Sequence, residues 1–293
     1  MKKHKSMSAE KAYKLFIYVV LIALTISIIV PIGWVFLASL KEPSEFFMNP
    51  WKFPQNPNFN NFVVAFKEAK MGDYFLNSIY VTVLGIVLLL ITALPAAYVL
   101  ARFDFKFKKQ INGLFMAGLF INVNYIVIPI FLMLLKWNEG SKSVLNMSLF
   151  INNRFTLAVV YAATALPFTV YLLSGYFKTL PKAFEEAASI DGCTYFQTMT
   201  KIMIPMAKPS IVTAILFNFL SFWNEYIIAL TLMPGAQKTL PVGLINLQQA
   251  ARGAANPGPL YAGLVIVMLP TLILYIFVQS KLTQGMTLGG VKD

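Results

Sequence analysis

The chain has 293 residues, 58% of them hydrophobic and only 12% charged, with a formal net charge of +12. An ordinary soluble domain carries about 25% charged residues, so the composition excludes one and places the chain among membrane proteins. The lone Cys193 excludes an internal disulfide, and the lone His4 excludes a histidine-built metal centre.

In chain order, residues 1–14 form a short basic arm. The apolar run at 15–39 exceeds the roughly 7–15 residues of a signal-peptide core, so it reads as an uncleaved first span. Further apolar runs at 77–101, 113–135, 156–177, 209–232 and 260–281 each reach the roughly 20 residues a helix needs to cross hydrocarbon. Such runs are too long for barrel strands. The expected fold class is an all-α membrane protein with six transmembrane helices. Lys and Arg fall between the spans, with 15 in the segments on the side of the termini and 9 in the opposite loops. Positive charge collects on the cytoplasmic side, so both termini are expected there. The basic charge is a topology signal; membrane lipid is an expected partner and nucleic acid is not.

The transmembrane domain covers 15–281, followed by a cytoplasmic tail at 282–293. The outer loop 40–76 is the longest connection and is broken by Pro43, Pro50, Pro54 and Pro57. Within it, Phe62, Ala65, Phe66 and Ala69 recur at helical spacing beside Lys67, Glu68 and Lys70, which predicts a small amphipathic helix on the outer surface. Between spans two and three, Phe103, Phe105 and Phe107 alternate with polar residues and read as an interfacial anchor. Pro95, Pro129, Pro167 and Pro270 lie inside spans and predict kinks.

After span four the chain turns polar, in a loop at 178–208. Pro181 suits a helix start, where its missing N–H costs little. Ala183, Phe184, Ala187, Ala188 and Ile190 then give one apolar face, and Asp191-Gly192 stops the helix, because glycine accepts the left-handed conformation of a C-terminal cap. Thr194 and Gln197 have the spacing of a capping box, so a second short helix is expected to follow.

The order Glu186-Ala187-Ala188, Gly192, Ile202 and Ile204-Pro205 resembles the EAA loop of ATP-binding-cassette (ABC) importer permeases. Ile204 stands where leucine is usual and Cys193 where alanine is common. Phe75-Leu76-Asn77-Ser78, Trp223-Asn224-Glu225 and the tail Gly285-Met286-Thr287-Leu288-Gly289-Gly290-Val291-Lys292 are similar to the carbohydrate branch, the second permease of maltose-type importers. The resemblance implies a type I ABC importer permease fold and ATP-driven import of a sugar or oligosaccharide across a prokaryotic plasma membrane. It implies as partners a second permease subunit, two ABC ATPase subunits and an extracellular or periplasmic solute-binding protein docking on 40–76 and 233–259. The loop would dock in a cleft of the ATPase through Phe184, Glu186, Ala187, Ala188, Asp191 and Gly192, with Glu186 pairing with a basic group there. Thr287, Gly289, Gly290 and Lys292 would reach toward the ATPase pair. The chain is expected to be non-catalytic and to hold no cofactor. It has no Gly-x-x-x-x-Gly-Lys-Ser/Thr phosphate loop, so ATP and Mg would bind the partner ATPase.

Glu225 reads as the one acid well inside a span, about 24 Å along from residue 209 at about 1.5 Å per residue. A charge at mid-bilayer costs about 2.5–3.5 kcal/mol on insertion scales and usually faces a cavity or a partner. With Asn218, Trp223 and Asn224 it forms a candidate substrate path, since polar groups beside an indole suit sugars. Hydrogen bonding within the bundle accounts for the same residues equally well. Asn122 and Asn124 read as bundle contacts. The alternative function is an ion-coupled secondary transporter, a class with repeat symmetry and several buried ionisable groups, neither of which is visible in the sequence.

Overall fold

The computed structural model describes residues 4–252 and 255–287. Among these the regular structure is helical, without a strand. In order the helices are α1 (His4–Ser39), α2 (Pro43–Met48), α3 (Asn60–Val63), α4 (Met71–Arg102), α5 (Lys108–Gly118), α6 (Val123–Leu145) and α7 (Arg154–Thr179). They continue as α8 (Ala183–Ile190), α9 (Tyr195–Thr198), α10 (Ile204–Met206), α11 (Lys208–Asn224), α12 (Ile227–Leu232), α13 (Leu240–Ala251) and α14 (Gly258–Thr287). Short π-helical turns at Val64–Glu68 and Met199–Met203 extend α3 and α9.

Four helical stretches are long and apolar enough to cross a membrane: Glu10–Ser39, Met71–Arg102, Arg154–Thr179 and Gly258–Phe277. Two bent pairs make up the six, α5 with α6 at 103° and Tyr195–Met206 with α11 at 74°. Spans three and five are therefore not straight rods. Pro95, Pro129, Pro167 and Pro270 each lie inside a continuous helix; the bends fall instead at Asn122, which caps α6, and at Ala207, between Pro205 and Pro209. Asn122 takes an extended conformation and its side chain accepts the Asn124 N–H at 3.0 Å, which starts α6 afresh. Gly118, at the end of α5, permits close approach to α7: an added Cβ would stand 2.8 Å from the Pro167 ring.

The chain divides into two compact units. The first runs to Lys70 and includes Leu244–Met268. In it the apolar window of α1 buries none of its residues, as suits a helix apolar on every side. Near the end of α1, Trp34 packs edge-on against Tyr261 at 5.2 Å and donates its indole N–H to the Pro50 carbonyl at 3.0 Å. Lys41 is 1% exposed, and its ammonium donates to the carbonyls of Asn49 and Pro50 at 2.9 and 2.7 Å. Burial pulls its pKa below the ordinary lysine value. The short amphipathic helix expected around 62–69 forms over 60–68, as α3 running into a π-turn; its buried face carries Asn61 and Ala65, and Phe66 is half exposed. Asn61 donates to the carbonyls of Ser39, the last residue of α1, and of Lys41 just after it, at 3.0 and 2.9 Å. Satisfying those buried carbonyls decides the face, because an unpaired one costs about 1–3 kcal/mol.

The second unit comprises Met71–Gly243 and the chain from Leu269. Its core is the pairing of α4 with α7, on which α11 leans. Leu89, Ala93 and Ala97 recur every four residues on the buried face of α4, while α7 contributes Leu157, Tyr161, Leu173 and Phe177. Gly85 lies where α4, α7 and α11 meet: an added Cβ would be 3.2 Å from the Phe222 ring and 3.5 Å from the Ala158 carbonyl. The Asn77-Ser78 pair at the head of α4 fastens the chain entering α13. Asn77 donates to the Lys238 carbonyl at 3.0 Å and accepts from Arg154 at 2.9 Å, and Ser78 accepts the Leu240 N–H at 2.7 Å.

Candidate functional site

The loop after α7 folds as two short helices meeting at Gly192. The end of α8 closes with paired hydrogen bonds, Gly192 N–H to the Ser189 carbonyl at 3.1 Å and Cys193 N–H to the Ala188 carbonyl at 2.9 Å. This wrap needs a left-handed residue next to the cap, and Gly192 has φ +76. Thr194 then opens α9 with a reciprocal box: its hydroxyl accepts the Gln197 N–H at 3.3 Å, and the Gln197 side chain accepts the Thr194 N–H at 2.9 Å. The backbone groups at both sides of the turn are thereby satisfied locally, which makes the corner stiff.

Of the residues singled out by sequence, Ala188 is buried, whereas Glu186, Ala187, Asp191 and Gly192 are exposed and Phe184 is 36% exposed. The tip also presents Ile190, Tyr195 and Phe196, at 86%, 79% and 70% exposure. Thr287 ends α14, and Gly289, Gly290 and Lys292 lie outside the described residues.

The preceding acid, Glu185, has a different environment. One carboxylate oxygen lies 3.2 Å from Nε of Arg102, and the other accepts the Tyr98 hydroxyl at 2.9 Å. Arg102 also donates to the Leu180 and Pro181 carbonyls at 2.8 and 3.4 Å. Neither Arg102 nor Glu185 stands out in the sequence. A charged residue closing an apolar run was the only signal, and it does not name a partner so far along the chain. Phe103, expected as an interfacial anchor, packs edge-on against Tyr98 at 5.6 Å and Tyr195 at 5.5 Å, while Phe105 and Phe107 stay exposed. In the same turn the Lys108 ammonium, 2.9 Å away, holds the Asp104 carboxyl below its ordinary range.

The four path residues do not form one lining. Asn218 is 3% exposed and donates to Thr169 of α7 at 3.0 Å and to the Ala214 carbonyl at 2.8 Å. Trp223, 2% exposed, stacks on Phe219 at 5.5 Å and meets Phe75 at 5.7 Å. Asn224 is exposed and donates back to the Leu220 carbonyl at 2.8 Å. Glu225 is not in the middle of a helix. It stands at the break after α11, where its carboxylate accepts the Ile228 and Ala229 N–H groups, at 2.7 and 3.1 Å, and the Tyr161 hydroxyl at 2.7 Å. A carboxylate at a helix start takes up N–H groups that have no partner in the helix, so the acid caps α12.

The apolar helices and the stiff polar corner between them define a multi-pass membrane protein, without strands among the described residues. Residues 93–284 match the family of binding-protein-dependent transport system inner membrane components. The chain is 31% identical over 283 residues to the diacetylchitobiose uptake system permease protein NgcG of Streptomyces coelicolor, covering 96% of this chain and 90% of that one. It is 28% identical over 287 residues to the multiple sugar-binding transport system permease protein MsmG of Streptococcus mutans, covering 97% and 99%. Its fold is similar to a chain in the crystal structure of a bacterial ABC transporter involved in the import of the acidic polysaccharide alginate. That likeness has a TM-score of 0.77 at 24% identity and covers 93% of this chain and 97% of that one. The chain belongs to the binding-protein-dependent transport inner membrane component family and is an ABC importer permease of the type I fold.

Proposed function

We propose that this chain is one of two permease subunits of an importer that moves a sugar or oligosaccharide into the cell, driven by a separate ATPase through the loop 178–208. The reading is supported chiefly by the tip of that loop, where Ile190, Tyr195 and Phe196 are left in water beside the exposed Glu186. An apolar patch rimmed by charge marks a protein-binding surface, and a corner closed by its own hydrogen bonds moves as a rigid body when its partner closes.

In this reading the termini and the loop face the cytoplasm, as the distribution of Lys and Arg suggests. Phe184, Glu186, Ala187 and Asp191 meet the ATPase, Ala188 packs the corner, and Gly192 gives it its turn. Thr287, Gly289, Gly290 and Lys292 extend toward the ATPase pair, which binds ATP and Mg. A solute-binding protein docks on the opposite face, over 40–76 and 233–259. Relatives named for diacetylchitobiose and multiple-sugar uptake support a carbohydrate cargo. Asn224 and Glu225, at the break in span five, are the polar groups left for the path once Asn218 and Trp223 are committed to packing.

The test is Ile190→Asp and Glu186→Ala in membranes holding all subunits, with uptake of a panel of radiolabelled oligosaccharides measured in a deletion strain. Each variant is expected to lose about tenfold in co-purified ATPase, equivalent to about 1.4 kcal/mol, with uptake falling alongside. ATPase recovery and uptake equal to wild type would refute the assignment.

A further inference from the structure

We infer that Arg102 and Glu185 are positioning residues that transmit movement of the loop to α4, so that the two adjacent glutamates divide the work: Glu186 outward, Glu185 inward. The inference rests on the coupling role proposed above and adds the route by which the loop engages the bundle.

The geometry is that of a strut. The Arg102 side chain is 6% exposed and that of Glu185 is 23% exposed, so the pair is largely withdrawn from water and differs from a solvated surface ion pair. One carboxylate oxygen accepts the Tyr98 hydroxyl, and the other is paired by charge alone with Arg102 one turn later on α4, whose Nε makes no hydrogen bond. Arg102 further grips the Leu180 and Pro181 carbonyls, where the chain enters α8. The second limb of the corner is tied to the same place by edge-on ring contacts, Tyr195 with Phe103 and Phe103 with Tyr98, and Tyr98 also meets Phe177 at the end of α7 at 5.6 Å.

Further along the loop Met199 and Met203 pack into the same core as Tyr98 and Phe177, while between these ties lies open space. A cavity of about 550 Å³ lies there, lined by Tyr98, Arg102, Glu185, Ser189, Cys193 and Thr198 among others. An unfilled space transmits no push, so displacement of the α8 limb reaches α4 through the ion pair and the edge-on aromatic contacts, in addition to the packing of Met199 and Met203 further along. A 32-residue α-helix is about 48 Å long, and α4 is packed on α7, so moving its end moves the core of the second unit.

The experiment uses the assembled transporter with Glu185→Arg, Arg102→Glu, the double exchange, the conservative Arg102→Lys and Tyr98→Phe, and Ile190→Asp as a tip control. Four quantities are read: co-purified ATPase, phosphate released from ATP, uptake of the radiolabelled oligosaccharide that wild-type cells accumulate, and amide exchange over residues 183–199. The single reversals are expected to keep the ATPase bound and phosphate release within about twofold, while uptake falls and loop exchange rises by about tenfold each. The double exchange is expected to recover at least about threefold in uptake. Uptake at the wild-type level in the single reversals, a double exchange no better than either single, or ATPase lost together with uptake would each overturn the inference. Should the reversals fail to insert, Tyr98→Phe and Arg102→Lys decide, because unchanged loop exchange in both sinks the strut. If Ile190→Asp retains the ATPase, the coupling role itself fails; loop exchange in the conservative variants still reports on the strut alone.

Discussion

Gly192 isolates a purely conformational effect, since its φ is +76 and an added Cβ would meet nothing within 4 Å. Substitution there costs only the left-handed backbone, about 1–2 kcal/mol for an ordinary side chain and less for asparagine. Gly192→Val is therefore expected to raise amide exchange over 183–199 more than Gly192→Ala, with Gly192→Asn nearest to wild type. An inverted order would show that the position is crowded rather than strained. At the span-five break, the Glu225 carboxylate accepts three hydrogen bonds. Tyr161→Phe removes one and is expected to cost about 1 kcal/mol, whereas Glu225→Ala removes the cap and also strands the tyrosine hydroxyl, for about 2–3 kcal/mol. Thermal unfolding in detergent should rank them in that order. Equal values would mean that the two backbone bonds to Glu225 add nothing beyond its bond to Tyr161.

Among the elements, close approach of helices sets the tolerance. Gly85→Leu would drive a side chain into Phe222 and the Ala158 carbonyl at the junction of α4, α7 and α11, and overpacking of this kind costs about 1–3 kcal/mol. Gly140 in α6 meets nothing within 4 Å, so Gly140→Ala is expected to be neutral or to stabilise the helix by up to about 1 kcal/mol. Unfolding midpoints of the two variants check the contrast. If both fall alike, the junction is not what limits packing. The same comparison explains why the spans were readable while their breaks were not. Apolar run length sets where a helix crosses, but α5 and α6 separate because Asn122 caps a new helix, and α11 stops because Glu225 finds N–H groups ahead of it.

For the molecule as a whole, α1 offers its apolar window entirely to its surroundings, while the second unit is organised around α4 and α7. Local signals were legible in the chain: the six apolar stretches, the Gly192 turn and the Thr194–Gln197 box each depend on residues close in sequence. So did the family likeness, since its motifs are short and contiguous. What only the tertiary structure decided was pairing over long separations: Arg102 with Glu185, Tyr161 with Glu225, Asn218 with Thr169, and Asn61 with the carbonyls at the end of α1. The physical reason is that run length and capping are set by a residue's neighbours along the chain. Whether a buried polar group serves as a path, a strut or a cap depends on which distant donor or acceptor the fold brings within about 3 Å.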